Sequence, residues 1–191
     1  MPVIGLKLAV AAKVKNYTPG SAITYEGGKE IAKAIAANVT WNRIDNPLYA
    51  NDEISENDNG ITGGQITVNI DDLSDEDAAM MLGLVKEGTD NDYTETDAAA
   101  PYVGYGYIRV KSKGGVQSYQ AMWLHRVQFG MSNENSQTKG EQITWQTPEL
   151  VGEIMGAQID NTGATKYRTR HTAATYEDAK TWLFEKAGIT E

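Results

Sequence analysis

In the run Gln65-Ile66-Thr67-Val68-Asn69-Ile70 the apolar side chains occupy every second position, a spacing that places them all on one face of an extended strand. The same period recurs along the chain and dictates a β-rich fold. Over residues 116–129, Tyr119, Ala121, Trp123, Val127 and Phe129 are expected to share a face, which predicts the longest strand and the spine of a sheet. Over residues 102–111, Val103, Tyr105 and Tyr107 stand opposite Gly104, Gly106, Ile108 and Val110, so both faces are partly covered. Lys113-Gly114-Gly115 separates these two runs and reads as a hairpin turn, because glycine reaches positive φ without steric cost. Residues 141–147 alternate again through Ile143 and Trp145, and after Pro148 a further strand is expected over residues 149–157.

Two segments read as helix. Ser74 precedes Asp75, Glu76 and Asp77, a capping hydroxyl followed by first-turn acids, and Ala78, Met81, Leu82 and Val85 then recur at helical spacing before Gly88. Thr175 opens the second in the same way, with Tyr176, Ala179, Trp182 and Leu183 on one stripe and Gly188 as the stop. Each is short and amphipathic, so each is expected to lie on a sheet. Residues 45–64 read as a long arm with an Asn/Asp/Gly-rich tip, and residues 87–100 as an irregular surface loop. The expectation is one domain over residues 1–191, mainly β within the α+β class: a β-sandwich or partly open barrel, one helix packed on the sheet, and a C-terminal extension over about 158–191 that carries a short helix. Ile66, Val68, Ile70, Leu82, Tyr119, Trp123, Val127, Trp145 and Trp182 are the expected core.

Composition removes most chemistry. With no cysteine there are no disulfides, thiolate nucleophiles or Cys-ligated metals. The net charge of -9 disfavours nucleic-acid binding and anionic membranes. Its distribution is uneven, since 15 of the 26 acidic residues fall within 45–97 beside a single base, Lys86. In a ring or stack, that asymmetry offers attraction between unlike faces of neighbouring copies. No window approaches the roughly 18 apolar residues of a membrane span, and the first residues lack a basic segment leading into an apolar run, so a soluble protein made in a cytoplasm is expected.

His125 lies in an apolar-faced strand, where a hydrogen-bonded structural role is expected, and His171 follows Lys166, Arg168 and Arg170 in a basic, turn-like stretch that predicts a solvated role. Asn51, Asp52, Glu53, Glu56, Asp58 and Asn59 superficially suggest a calcium loop, but the glycine and terminal glutamate positions of an EF-hand are not met. Gly63-Gly64 and Gly104-Tyr105-Gly106 lack the context of phosphate cradles and read as bulges or close backbone approaches. No nucleophile elbow is present. Neither a catalytic residue nor a cofactor or metal site is expected.

The stretches Ile4-Gly5-Leu6-Lys7, Ile23-Thr24-Tyr25, Leu48-Tyr49-Ala50-Asn51-Asp52, Asp58-Asn59-Gly60-Ile61-Thr62-Gly63-Gly64, Val68-Asn69-Ile70-Asp71-Asp72-Leu73-Ser74, Tyr102-Val103-Gly104-Tyr105-Gly106-Tyr107, Lys139-Gly140-Glu141, Trp145-Gln146-Thr147-Pro148 and Thr181-Trp182-Leu183 occur in an order that closely resembles the major tail proteins of long-tailed bacteriophages infecting Gram-positive bacteria. The resemblance spans about residues 4–190 and rests on the ordered set, no single motif being specific; residues 87–100 and 161–172 lie outside it. It implies a tail-tube fold whose copies form hexameric rings stacked into a hollow tube in the virion, assembled in the host bacterial cytoplasm. It also implies partners: further copies of the chain, a tape-measure protein within the growing tube, a tail terminator and a distal tail protein at its ends, and DNA in passage without specific binding. In that setting the arm, through Tyr49, Asn51, Asp52, Glu53, Glu56, Asp58, Asn59 and Gly60, is the candidate for reaching the next ring, and the acidic excess suits a DNA conduit of net negative lumen. Two other readings are the inner tube of a contractile phage-like bacteriocin or injection particle, and a monomeric carbohydrate-binding β-sandwich using aromatics among Tyr102, Tyr105, Tyr107, Trp123 and Trp145.

Overall fold

The computed structural model describes residues 1–191 except 32, 45, 51, 52, 59, 132–146, 161, 162, 190 and 191, and describes the backbone alone at 46–50, 53–58 and 131. In chain order the strands are β1 (Val3–Asn16), β2 (Thr24–Ile31), β3 (Ala34–Arg43), β4 (Asn46–Ala50), β5 (Glu53–Asp58), β6 (Ile61–Ile70), β7 (Val85–Glu87), β8 (Asp92–Thr94), β9 (Tyr102–Lys113), β10 (Val116–Met131), β11 (Glu149–Met155) and β12 (Arg168–Ala173); the helices are α1 (Asp75–Leu82) and α2 (Tyr176–Ala187). Eight strands make one antiparallel sheet in the order β2-β1-β9-β10-β11-β6-β3, with β12 also paired to β10. Two hairpins, β4-β5 and β7-β8, stand apart from it. The expected mainly β architecture with two helices is present, and among the described residues the large sheet does not close into a barrel.

The sheet turns back so that β3 lies against β1. Small residues permit the approach, with Ala9 and Ala11 buried on β1 and Ala34 and Ala37 packed against the same cluster from β3. The enclosed core takes Ile66, Val68 and Ile70 from β6, Val127 and Phe129 from β10, and Met81 from α1. On the opposite face of β1, β9 and β10, α2 lays Ala179, Leu183 and Ala187 over Val10, Ile108 and Trp123.

β10 holds these parts together. One side of it pairs with β9, while the other is shared by β12 along residues 119–124 and β11 along residues 126–131. Leu124 opposes Tyr105 and Val127 opposes Val103, so β10 carries one residue more than β9 across this step. That bulge corrects the expectation of a single apolar face over residues 116–129. Tyr119, Ala121 and Trp123 belong to the α2 side, whereas Val127 and Phe129 join Met122 and Leu124 in the enclosed core. The bulge reverses the alternation, so every side chain beyond it changes face.

Ile66, Val68, Ile70, Trp123 and Val127 are buried as expected. Leu82, Tyr119 and Trp182 are only half-buried, at the margins of the two clusters, and Trp145 lies outside the described residues. Local chemistry accounts for the helix ends. Ser74 Oγ accepts from the Asp77 N–H at 3.2 Å, and Thr175 Oγ1 accepts from that of Asp178 at 3.2 Å. Gly188, with φ 70°, ends α2. Gly83, with φ 85°, already ends α1, so Val85, expected on the helix, instead starts β7. Residues 87–100, expected to be irregular, supply part of the short β7-β8 ladder, and the basic stretch expected to be a turn forms β12.

Gly104 and Gly106 were expected to mark bulges or close backbone approach, and a side chain fills the space instead. Trp123 pairs across from Gly106, and its ring lies over both glycines. A Cβ on Gly106 would stand 2.5 Å from Leu183 Cδ1 and 2.6 Å from Trp123 Cε3. Gly106→Ala therefore forces the indole and α2 apart, and is expected to cost about 1–3 kcal/mol. A fall in the urea midpoint at unchanged m-value would show this.

Candidate functional site

β3 and β6 pair from Ala34↔Ile70 to Arg43↔Ile61, and β4 and β5 then pair from Asn46↔Asp58 to Ala50↔Glu53. The Ile44 N–H donates to the Gly60 carbonyl at 2.9 Å and joins the two ladders. The expected arm is thus a β-hairpin that continues the β3-β6 pair beyond the large sheet. Of the residues expected to act there, Tyr49 lies on β4, Glu53, Glu56 and Asp58 lie on β5, and Gly60 lies at the junction; Asn51, Asp52 and Asn59 lie outside the described residues. Among the described residues, neither β4 nor β5 pairs with any other strand.

The large sheet ends on β2 and β3, whose outer backbone edges have no ladder partner among the described residues. Unpaired edges of this length invite addition of another strand. Exposed apolar side chains lie near these margins: Ile35 on β3 is 54% exposed, and Val3 and Ile4 at the start of β1 are 49% and 58% exposed.

A cluster of arginines on the side of β10 that carries Met122 and Leu124 into the enclosed core was not expected from the sequence. Across the shared ladders, Arg109 on β9 faces Gln120, Gln120 faces Thr172, Met122 faces Arg170 and Leu124 faces Arg168, so three arginines share one side of β9, β10 and β12. Arg109 Nη2 donates to Gln120 Oε1 at 2.9 Å, and Gln120 Nε2 donates to Thr172 Oγ1 at 3.2 Å. The Arg168 guanidinium lies 4.9 Å from the centre of the Trp41 ring. Burial, with Arg170 and Arg109 nearby, pulls Arg168 below the usual arginine range despite the opposing effect of Tyr107. Arg109 Nε is buried without a hydrogen-bond partner. Ion pairs among the described residues include Lys15–Glu26, Lys29–Asp77, Lys166–Asp160 and Lys180–Glu30, none of which involves these arginines. The alternation of Arg168 and Arg170 at period two was the available signal.

Among the described residues no three His, Asp or Glu side chains converge as a metal site. A shallow pocket of about 220 Å³ lies beside β8, between Leu82, Thr96, Ala98 and Phe129, with Glu95 the one titratable lining group among the described residues. His171 stacks on Trp182 at 5.3 Å between ring centres and is half-buried, where a solvated role was expected. Of the aromatics considered as a carbohydrate platform, Tyr105, Tyr107 and Trp123 are buried, Tyr102 is 38% exposed, and Trp145 lies outside the described residues.

His125 sits where β12 and β11 part along β10. Its Nε2 lies 2.8 Å from Thr169 Oγ1, its N–H donates to the Tyr167 carbonyl at 3.1 Å, and its carbonyl accepts from Tyr25 Oη at 2.8 Å. Beside it, Arg126 lies between the rings of Tyr17 and Tyr102, at 4.5 and 4.4 Å. Burial, with Lys186 and Lys166 nearby, lowers the His125 imidazole from 6.5 to about 4. The neutral ring is thus favoured in the folded state. Its contribution is complete above pH 6.5 and is lost as pH falls from 6.5 towards 4, a loss on the order of 3 kcal/mol. Urea titrations across that window should show His125→Asn losing less stability than the unsubstituted chain; parallel curves would contradict the assignment.

Comparison with known protein families and with curated proteins finds no match.

Proposed function

We propose that this chain is the repeating subunit of a hollow bacteriophage tail tube, built from hexameric rings and serving as a conduit for DNA. The carrying observation is the pairing left open in one copy: a large antiparallel sheet that ends on two unpaired strands, β2 and β3, with the β4-β5 hairpin extending beyond it. Edges of this kind are a hazard in an isolated β protein and become the contacts of a ring once neighbouring copies complete them. In this reading the sheet is of the tail-tube type, and α2 covers its far face, leaving the edges to govern association.

The ordered motifs that carry the family resemblance support the same reading from their places in the fold. Gly60 to Gly64 enters β6 at the base of the hairpin, Val68 to Ser74 joins β6 to the cap of α1, and Tyr102 to Tyr107 opens β9 beneath Trp123. Burial of Tyr105, Tyr107 and Trp123 weighs against a carbohydrate platform, which needs exposed aromatic faces.

Negative-stain microscopy of the purified, concentrated protein should show rings or hollow tubes. Protein that stays monomeric under every condition would contradict the proposal. Deleting residues 51–59 should leave a melting transition in place while abolishing tubes, because the arm is what reaches the next ring; tubes of normal appearance from that deletion would remove the arm from the mechanism.

A further inference from the structure

The core-facing side of β9, β10 and β12 changes from apolar to cationic towards one end. Its ladder rows run Tyr105-Leu124-Arg168, Tyr107-Met122-Arg170 and Arg109-Gln120-Thr172. Met122 and Leu124 are fully buried and Gln120 is 8% exposed, while Arg170 and Thr172 lie exposed at the rim on β12. Arg109 leans along β10 from its own row, so that Nη2 donates to Gln120 Oε1 at 2.9 Å and stands 3.7 Å from Met122 Sδ in the next. Arg168 lies over Trp41, and besides its burial the charges of Arg170, Tyr107 and Arg109 act on its guanidinium. The three guanidiniums thus gather about the middle row from two strands. The ion pairs of Glu26, Asp77, Asp160 and Glu30 among the described residues are made by lysines, and none reaches these arginines. Asp77 approaches the Tyr105 row, where Ala11 stands between Tyr105 and Lys29, but its carboxylate is taken by the Lys29 ammonium at 2.6 Å. Like charges held in partial burial repel, and Arg109 Nε is also buried without a partner.

We propose that Arg109, Arg168 and Arg170 form a binding site for one small, multiply charged oxyanion of the phosphate or sulfate class. Each guanidinium fork pairs with two oxygens, and forks arriving from two strands suit an anion with three or four oxygens better than a planar carboxylate. Thr172 adds a donor, because its oxygen accepts from Gln120 Nε2 and its own hydrogen remains to be given. The exposed rim on β12 is the way in, and Gln120 holds Arg109 in place from below. A nucleic-acid strand suits the site less well. The net charge of -9 repels a polyanion along its length, whereas a single oxyanion meets chiefly the local field of three cations. The site is complete in one copy of the chain and independent of the tube reading. A bound anion ties β12 to β9 across β10, so it stabilises the folded chain as its concentration rises.

Calorimetric titration of the full chain with inorganic phosphate, and separately with sulfate, at ionic strength held constant with chloride, should show one site per chain; the tighter of the two identifies the preferred anion. At about tenfold above the measured dissociation constant, that anion should raise the melting temperature by about 3 °C over matched chloride. Arg170→Gln, at an exposed position, should melt no lower than the unsubstituted protein in chloride, because a repelling charge is gone, and should weaken binding about tenfold or more. Arg168→Gln should weaken it likewise. Lys15→Gln removes the same charge from an exposed side chain beyond Lys13, which opposes Val103 at the other end of β9, and should leave the affinity unchanged. The inference fails if phosphate and sulfate act no differently from chloride, or if Arg170→Gln binds as tightly as the unsubstituted protein. It fails equally if Lys15→Gln loses as much binding, since the response is then to net charge alone. A single-stranded oligonucleotide that binds through Arg170 while neither small anion binds would assign the arginines to nucleic acid and overturn it.

Discussion

The fold depends on β10 being paired along both sides by three different strands. A central strand whose second side is divided between two partners needs a way to part them, and the bulge after Leu124 supplies it. Beyond the bulge the apolar side chains of β10 change face, so one strand feeds both the enclosed core and the layer beneath α2. His125 occupies the parting point as a neutral, desolvated ring, bonded to β12 through Thr169, while its backbone N–H donates to the carbonyl of Tyr167 just ahead of β12. Burying a group that would otherwise charge near pH 6.5 ties the integrity of the fork to the neutral form.

Satisfying β10 so fully moves the unsatisfied pairing to the periphery. Charge and apolar exposure follow the same division, with acids gathered between β6 and β9, arginines on β9 and β12, and exposed Ile35, Val3 and Ile4 near the margins of the sheet. A monomeric β protein ordinarily blunts its edges with short strands, bulges or covering segments. β2 and β3 are eight and ten residues long, and although each carries one bulge and the end of α2 lies against Gly28 of β2, neither edge has a ladder partner among the described residues. The proposed association by strand completion accounts for edges of this length.

What was legible in the sequence was local. The caps at Ser74 and Thr175, the stop at Gly188 and the alternation of Ile66, Val68 and Ile70 each act within a few residues, and each has the expected form in the structure. What was missed depended on distant partners. The β10 bulge falls at His125-Arg126, where neither glycine nor proline marks it, and only the pairing with β9 and the parting of β11 from β12 give it away. β12 reads as a turn because its residues are polar and basic; Arg168 packs on Trp41, far away in the chain, and His171 on Trp182 of the following helix. Gly88 reads as the stop for α1, although Gly83 meets the left-handed requirement five residues sooner. The arm was visible as a polar insertion between strand signals, while its own pairing, carried by backbone alone, left no periodic trace.

The central claim is that strand edges left open in one copy are closed by the next, and amide hydrogen exchange addresses it at those edges. Exchange should be compared between dilute and concentrated protein, followed by mass spectrometry over β2, β3 and, as an internal reference, β10. The account predicts that β2 and β3 amides exchange readily in the dilute sample and become strongly protected in the concentrated one, with β10 slow in both. Equal exchange of β2 and β3 at the two concentrations, in material that has assembled, would contradict it.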